Sequence, residues 1–232
     1  MVDTTLQSQC SDLSKSIGCF VTEGVEQIDL GNIRSLLVKG EEILRYVSGP
    51  KHLEALISST LQNPALLAKC ERFNLFQKIV LFEHPATKVR LRLHMFGDEV
   101  REVHHHRASF AALVLRGSYT HLLFGDERYV DDSAGGRPGF RLLMAQEQRA
   151  GTAYALDHAM MHATLAKPET VSLILQAPVA RPSFRIYDLE TGERRDRVGS
   201  SEAMEVQEAG EAAMTAAEIE ASMSSLRSWG VI

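Results

Sequence analysis

Cysteine is scarce in this chain, with three in 232 residues: Cys10, Cys19 and Cys70. An odd number at wide intervals argues against a disulfide framework and against a thiolate metal site, so the expectation is reduced thiols in a reducing compartment. Long apolar runs are missing too. No stretch approaches the roughly 18 uninterrupted apolar residues of a spanning helix, and the N-terminus lacks the basic, apolar, small-residue order of a secretory signal. The reading is a cytoplasmic chain with no membrane partner. Positive charge is in deficit, 25 Lys and Arg against 30 Asp and Glu, for a net charge of −5. With no clustered Lys and Arg to meet phosphates, a nucleic-acid partner is excluded. The longest charged run, Glu193 to Arg197, mixes signs and reads as a solvated turn. No Gly-x-Ser-x-Gly elbow surrounds Ser172, which therefore reads as structural and not nucleophilic.

What is present suits one globular unit. At 44% hydrophobic and 24% charged residues, the chain can bury one substantial core with a helical annex. Residues 1–75 read as a helical lead-in, with Ile33, Leu36, Leu37, Ile43, Leu44 and Val47 recurring at three- and four-residue steps. Ser48-Gly49-Pro50 stops that run, a second helix covers Lys51 to Thr60, and Asn63-Pro64 opens a third through Glu71.

From Phe76 the period shortens, and residues 76–198 read as a barrel or sandwich of short strands: Lys78–Phe82, Val89–Phe96, Phe110–Arg116, Tyr119–Phe124, Phe140–Gln146, Thr152–Leu156, Met161–Leu165, Val171–Ala177 and Ser183–Tyr187. Asp131 to Gly139 reads as a flexible loop between its halves. In residues 199–232 the composition turns to Ala, Glu and Met. There Thr215-x-x-Glu218 is a capping box for a helix whose Ile219, Met223 and Leu226 share one face, to pack on the barrel or on a second copy in a homodimer.

The chemistry is concentrated in histidines. His104 and His106 stand two apart, so on a strand both face one way while His105 faces the other, and His162 on a distant strand can complete a triangle. Neutral imidazole is a common ligand for first-row transition metals, and three leave coordination positions open. Spacing alone also fits a solvated His-His-His turn.

The segment Gly97 to Ala166 resembles the two motifs of the cupin superfamily, G-x5-HxH-x3,4-E-x6-G and G-x5-P-x-G-x2-H-x3-N. His104, His106 and Gly117 match the first, with Gly97 one residue early and Phe110 at the glutamate position. Gly151 and His162 match the second, with Asp157, Ala159 and Ala166 where Pro, Gly and Asn are usual. The resemblance implies a mainly β, RmlC-like jelly-roll barrel with helices at both ends and one metal held by His104, His106 and His162. Three histidines without the glutamate are most similar to the cysteine dioxygenase-like, or thiol dioxygenase, branch. That likeness implies Fe(II), O2 and a small polar substrate carrying a thiol, amine or carboxylate. This chain departs from the branch where a Ser-x-His-x-Tyr relay is usual, since Ser172, Ile174 and Gln176 stand there. Cysteine itself is therefore not the expected substrate.

Around that centre, Tyr119 and His121 share a strand face and read as a proton relay or an outward cross-strand pair. His158, four residues before His162, reads as a catalytic or ligating neighbour or as a turn residue. Arg90 and Arg92 share a face opposite Leu91, Leu93 and Met95: outward if the leucines fill the core, or a fork for a substrate carboxylate if inward. Arg107, Tyr154 and Gln176 complete the candidate substrate-binding groups. Two rivals remain: a Zn, Mn or Ni isomerase, lyase or hydrolase that needs no O2, and a non-catalytic ligand-binding barrel.

Overall fold

The computed structural model describes residues 4–73, 76–97, 102–129, 139–188, 190–198 and 212–232. The lead-in forms α1 (Thr4–Glu26), α2 (Ile33–Val47), α3 (Pro50–Gln62) and α4 (Pro64–Leu67). Local chemistry sets the boundaries. Asn32 accepts from the backbone N–H of Arg34 and Ser35 at the start of α2, Pro50 opens α3, and Asn63 caps α4 ahead of Pro64. The third expected helix stops at Leu67 instead of reaching Glu71, because Glu71 and Arg72 are taken into a sheet. Cys70, at the changeover, is buried and accepts the backbone N–H of Val80 at 3.3 Å.

The strands are β1 (Glu71–Arg72), β2 (Phe76–Glu83), β3 (Arg90–Phe96), β4 (Glu102–His104), β5 (Phe110–Arg116), β6 (Ser118–Asp126), β7 (Met144–Arg149), β8 (Ala153–Leu156), β9 (Met160–Ala166), β10 (Thr170–Gln176), β11 (Ser183–Asp188), β12 (Arg194–Val198) and β13 (Ala212–Ala213). They build two antiparallel sheets, ordered β13-β1-β2-β3-β10-β5-β8 and β12-β11-β4-β9-β6-β7. A last helix, α5 (Ala216–Ser228), carries the expected capping box at Thr215 and Glu218. The fold is mainly β, and no described helix is long and apolar enough to cross a membrane.

Three segments differ from the sequence reading. The mixed-charge run expected as a turn is strand β12, an edge whose exposed charges pair along it, as Arg194 does with Asp196 at 2.8 Å. The strand expected to start at Phe140 starts at Met144. The strand on which His104 and His106 were both expected is the three-residue β4, which ends at His104 and leaves His106 beyond it. The expected loop Asp131–Gly139 lies outside the described residues except for Gly139.

The main core lies between the helices and the outer face of the seven-stranded sheet. Leu36, Ile43, Leu44, Leu53 and Ile57 of α2 and α3 pack with Ile79, Leu91, Leu93, Leu113, Leu173 and Leu175 of the sheet. Burying each such side chain contributes roughly 1.5–3 kcal/mol, which makes this layer the main anchor of the fold. α5 joins it through Ile219, Met223 and Leu226, so the apolar face of the tail helix is buried within its own chain. Since the leucines of β3 serve this outer layer, alternation turns Arg90, Arg92, His94 and Phe96 toward the space between the sheets. Phe96 shows the direction: its ring meets that of Tyr119, on the opposite sheet, at 6.2 Å.

Candidate metal centre

Backbone pairing brings the histidines together. His104 on β4 lies opposite His162 on β9, and the chain leaves β4 immediately, with His106 tied back by its N–H to the carbonyl of His158 at 3.1 Å. One ring nitrogen each from His104, His106 and His162 lie within 4.8 Å of one another. The ring centroids of His104 and His162 are 4.6 Å apart, and both are 4.8 Å from that of His106. Phe110, at the position of the missing carboxylate, sets its ring edge against His106 at 4.8 Å.

The electrostatics suit a metal. Burial, the largest cause in each, lowers the proton affinity of His104, His106 and His162, and for the last two the value falls well below the usual imidazole range. Neutral rings are the ligating form. Their other nitrogens are also directed. His104 Nδ1 lies 3.1 Å from the Glu102 carbonyl, to which it can only donate, and His162 Nδ1 lies 2.8 Å from His121 Nε2. The carbonyl fixes the His104 tautomer and leaves its Nε2 with a lone pair, and the His121 contact does the same for His162 when His162 is the donor. His106 Nε2 and His162 Nε2 approach to 2.6 Å, a hydrogen-bond distance at which one ring shares a proton with the other. The donor set, its neutrality and its convergence fit one divalent ion.

His105 faces the other way. Its Nε2 is 3.1 Å from Glu127 and accepts the Arg185 backbone N–H at 3.2 Å, and Glu127 also pairs with Arg181. This half-buried outer cluster around the buried His105 ties the His-His-His segment to β11.

The other candidate residues divide. Tyr119 and His121 are both buried on the inner face. Tyr119 donates to the Tyr154 hydroxyl at 2.8 Å, and the Tyr154 ring lies 5.0 Å from that of His121. His121 thus touches the ligand His162, and burial holds it neutral with a pKa of about 4. Burial raises Tyr154 to about 12, so it remains a protonated donor. His158 sits in the turn before β9 with its ring on the Ser109 hydroxyl at 3.2 Å, outside the convergent trio.

Arg90 is engaged by Glu83 at 2.6 Å, and Arg107 donates to the Arg181 carbonyl at 3.3 Å. Arg92 Nε and Gln176 Oε1 are buried without a hydrogen-bond partner among the described residues. His94 Nε2 is in the same condition and was missed in the sequence, although the alternation that pairs Arg90 with Arg92 continues to it.

No family model matches the chain, and no curated protein matches it. Solved structures do. KdgF from Halomonas sp. aligns at 16% identity and a TM-score of 0.32, over 44% of this chain and 80% of that one. A RmlC-like cupin from Shewanella frigidimarina NCIMB 400 aligns at 14% identity and 0.34, over 47% and 80%. Hydroquinone 1,2-dioxygenase from Sphingomonas sp. TTNP3, with 4-hydroxybenzoate bound, aligns at 17% and 0.32, over 40% and 60%. Likeness this distant transfers no activity. The two-sheet architecture rests on strand order and register.

Proposed function

We propose that this chain is a metal-dependent enzyme acting on a small polar metabolite, an Fe(II) oxygenase of the three-histidine type. The observation that carries the reading is the convergence of His104, His106 and His162 as neutral ligands, with Phe110 in place of a carboxylate. When bound, Fe(II) supplies open positions at which O2 and substrate meet. The chain's own residues do the rest. His121 orients His162, Phe110 walls one side of the centre and keeps water from it, and the Tyr119–Tyr154 hydroxyl pair offers a proton donor beside His121. The motif resemblance to the thiol dioxygenase branch supports the oxygenase form. Ser172, Ile174 and Gln176, in place of that branch's relay, favour a substrate other than cysteine.

Elemental analysis of anaerobically prepared protein, with nitric oxide EPR, tests the reading. About one iron per chain, lost in His106→Ala and in His162→Ala and giving an Fe–NO signal in the wild type, is the expected result. Metal that survives both substitutions, or none in the wild type, overturns it. The Tyr154 hydroxyl, held protonated, favours one second reading: redox-neutral chemistry on Zn, Mn or Ni with a tyrosine as acid. Turnover that persists under strict anoxia selects it.

A further inference from the structure

Apart from the three histidines, none of which lines it, a cavity of about 420 Å³ opens between α5 and the ends of β2 and β3. Its wall is largely aromatic. Phe73, Phe76, Phe96 and Trp229, the only tryptophan of the chain, all line it. Phe76 and Phe96 form the terminal register pair of β2 and β3, and Phe73 stacks on Phe76 with ring centroids 4.6 Å apart. α5 leaves room because the residues it turns to the cavity are small. Ala221, Ser222 and Ser225 stand three and four apart, on a face beside the Ile219, Met223 and Leu226 that hold the helix to the core.

Charge and hydrogen bonding decide what can fill this space. The two charged residues of the wall, Arg72 and Glu218, pair with each other at 3.0 Å. Lys78, held by Glu71 at 3.2 Å, already covers the Phe73 ring at 4.2 Å, and Arg116, held by Glu169 at 3.0 Å, lies 5.7 Å from the Trp229 ring. Each of these ions has a partner and the rings already have their cations, so a charged ligand would give up hydration without gaining a counter-charge. One polar spot is left on the wall. Ser222 Oγ lies 2.8 Å from both Gln77 Oε1 and the Glu218 carbonyl, and after giving its single proton it has a lone pair left to accept. The Gln77 amide nitrogen has no acceptor among the described residues. We propose that this cavity is a second ligand site, for a neutral aromatic ring that carries a hydroxyl, with the ring among Phe76, Phe96 and Trp229 and the hydroxyl on Ser222 and Gln77. The volume lies within the range of small-molecule pockets, and the flanking rings add to what burial alone contributes. The site stands whether or not the three histidines hold a metal. Phe96 is nevertheless a shared wall, since its ring meets that of Tyr119 at 6.2 Å and Tyr119 donates to Tyr154 beside His121.

The test uses the full-length chain and the emission of Trp229, which as the single tryptophan reports on this cavity alone. Benzyl alcohol is the probe, beside benzylamine, benzoate and cyclohexylmethanol, which change the charge or remove the aromatic ring. The expected result is a saturable change in emission with benzyl alcohol and roughly tenfold weaker binding of the other three. Ala221→Leu, which fills the cavity while keeping a good helix former on α5, should abolish the response. Ser222→Ala should weaken benzyl alcohol severalfold and leave toluene unaffected, a difference that a folding defect would not produce. His106→Ala, which disables the metal centre, should bind the probe as the wild type does. Equal affinity for all four probes, binding by Ala221→Leu equal to that of the wild type, or loss of binding in His106→Ala overturns the site. So does the absence of both a saturable change in emission and NMR saturation transfer to the ring protons of benzyl alcohol.

Discussion

An imidazole can ligate only while its lone pair is free, and for His162 that depends on one neighbour. His121 Nε2 lies 2.8 Å from His162 Nδ1, and with the proton on that Nδ1 the contact directs Nε2 inward. His121→Ala is expected to leave the fold intact and to weaken divalent-metal binding by about 10- to 100-fold, the range for such supporting contacts, as read by competition with a chromophoric chelator. Unchanged affinity would mean that packing alone orients the ring. At this scale the sequence was partly legible. The two-residue spacing pointed to His104 and His106 together with His105 turned away, but the strand ends at His104 and it is the tie of the His106 N–H to the His158 carbonyl that holds His106 near the other two. The same period placed Arg90 and Arg92 together but did not say which side was interior, because that depends on helices distant in sequence covering the leucine side of β3.

Elements meet where side chains are small enough to let them. Gly40 on α2 lies so close to β5 that a Cβ there would stand 2.8 Å from Ala111 Cβ, with Leu175 at 3.5 Å. Backbone and sheet must separate to admit a larger group, so Gly40→Val is expected to destabilise the protein by about 1–3 kcal/mol, the usual range for overpacking. A urea midpoint equal to that of the wild type would show that the helix can shift freely. α5 offers a milder test. Thr215 accepts the backbone N–H of Glu218, whose carboxylate accepts that of Thr215 in return, so Thr215→Ala should cost about 1 kcal/mol. An unchanged thermal midpoint would show the cap to be dispensable. The Asn63-Pro64 start of α4 and the capping box of α5 follow from local chemistry and were readable in the sequence. β12 was not, because its charges look like those of a turn until β11 is present to pair with them.

For the molecule as a whole, the histidines give the interior a definite response to acid. His94, His104, His106, His121 and His162 are all held below the ordinary imidazole value, with burial the first cause in each. The unfolded chain therefore takes up protons from about pH 6.5 downward while the folded chain does not, and stability falls as pH drops through that window. For His121, whose folded value is about 4, the loss by pH 5 is about 2 kcal/mol. The metal-free protein should thus show a clear drop in urea midpoint between pH 7.5 and pH 5. Carboxylates such as Glu83, held low by Lys69 and Arg90 against the opposing effect of burial, begin to contribute only in more acid solution. His121→Phe, which keeps a ring but cannot take a proton, should flatten part of the drop. A midpoint independent of pH across that range would mean that the interior histidines are already protonated in the fold, and with them the neutral ligand set would be lost.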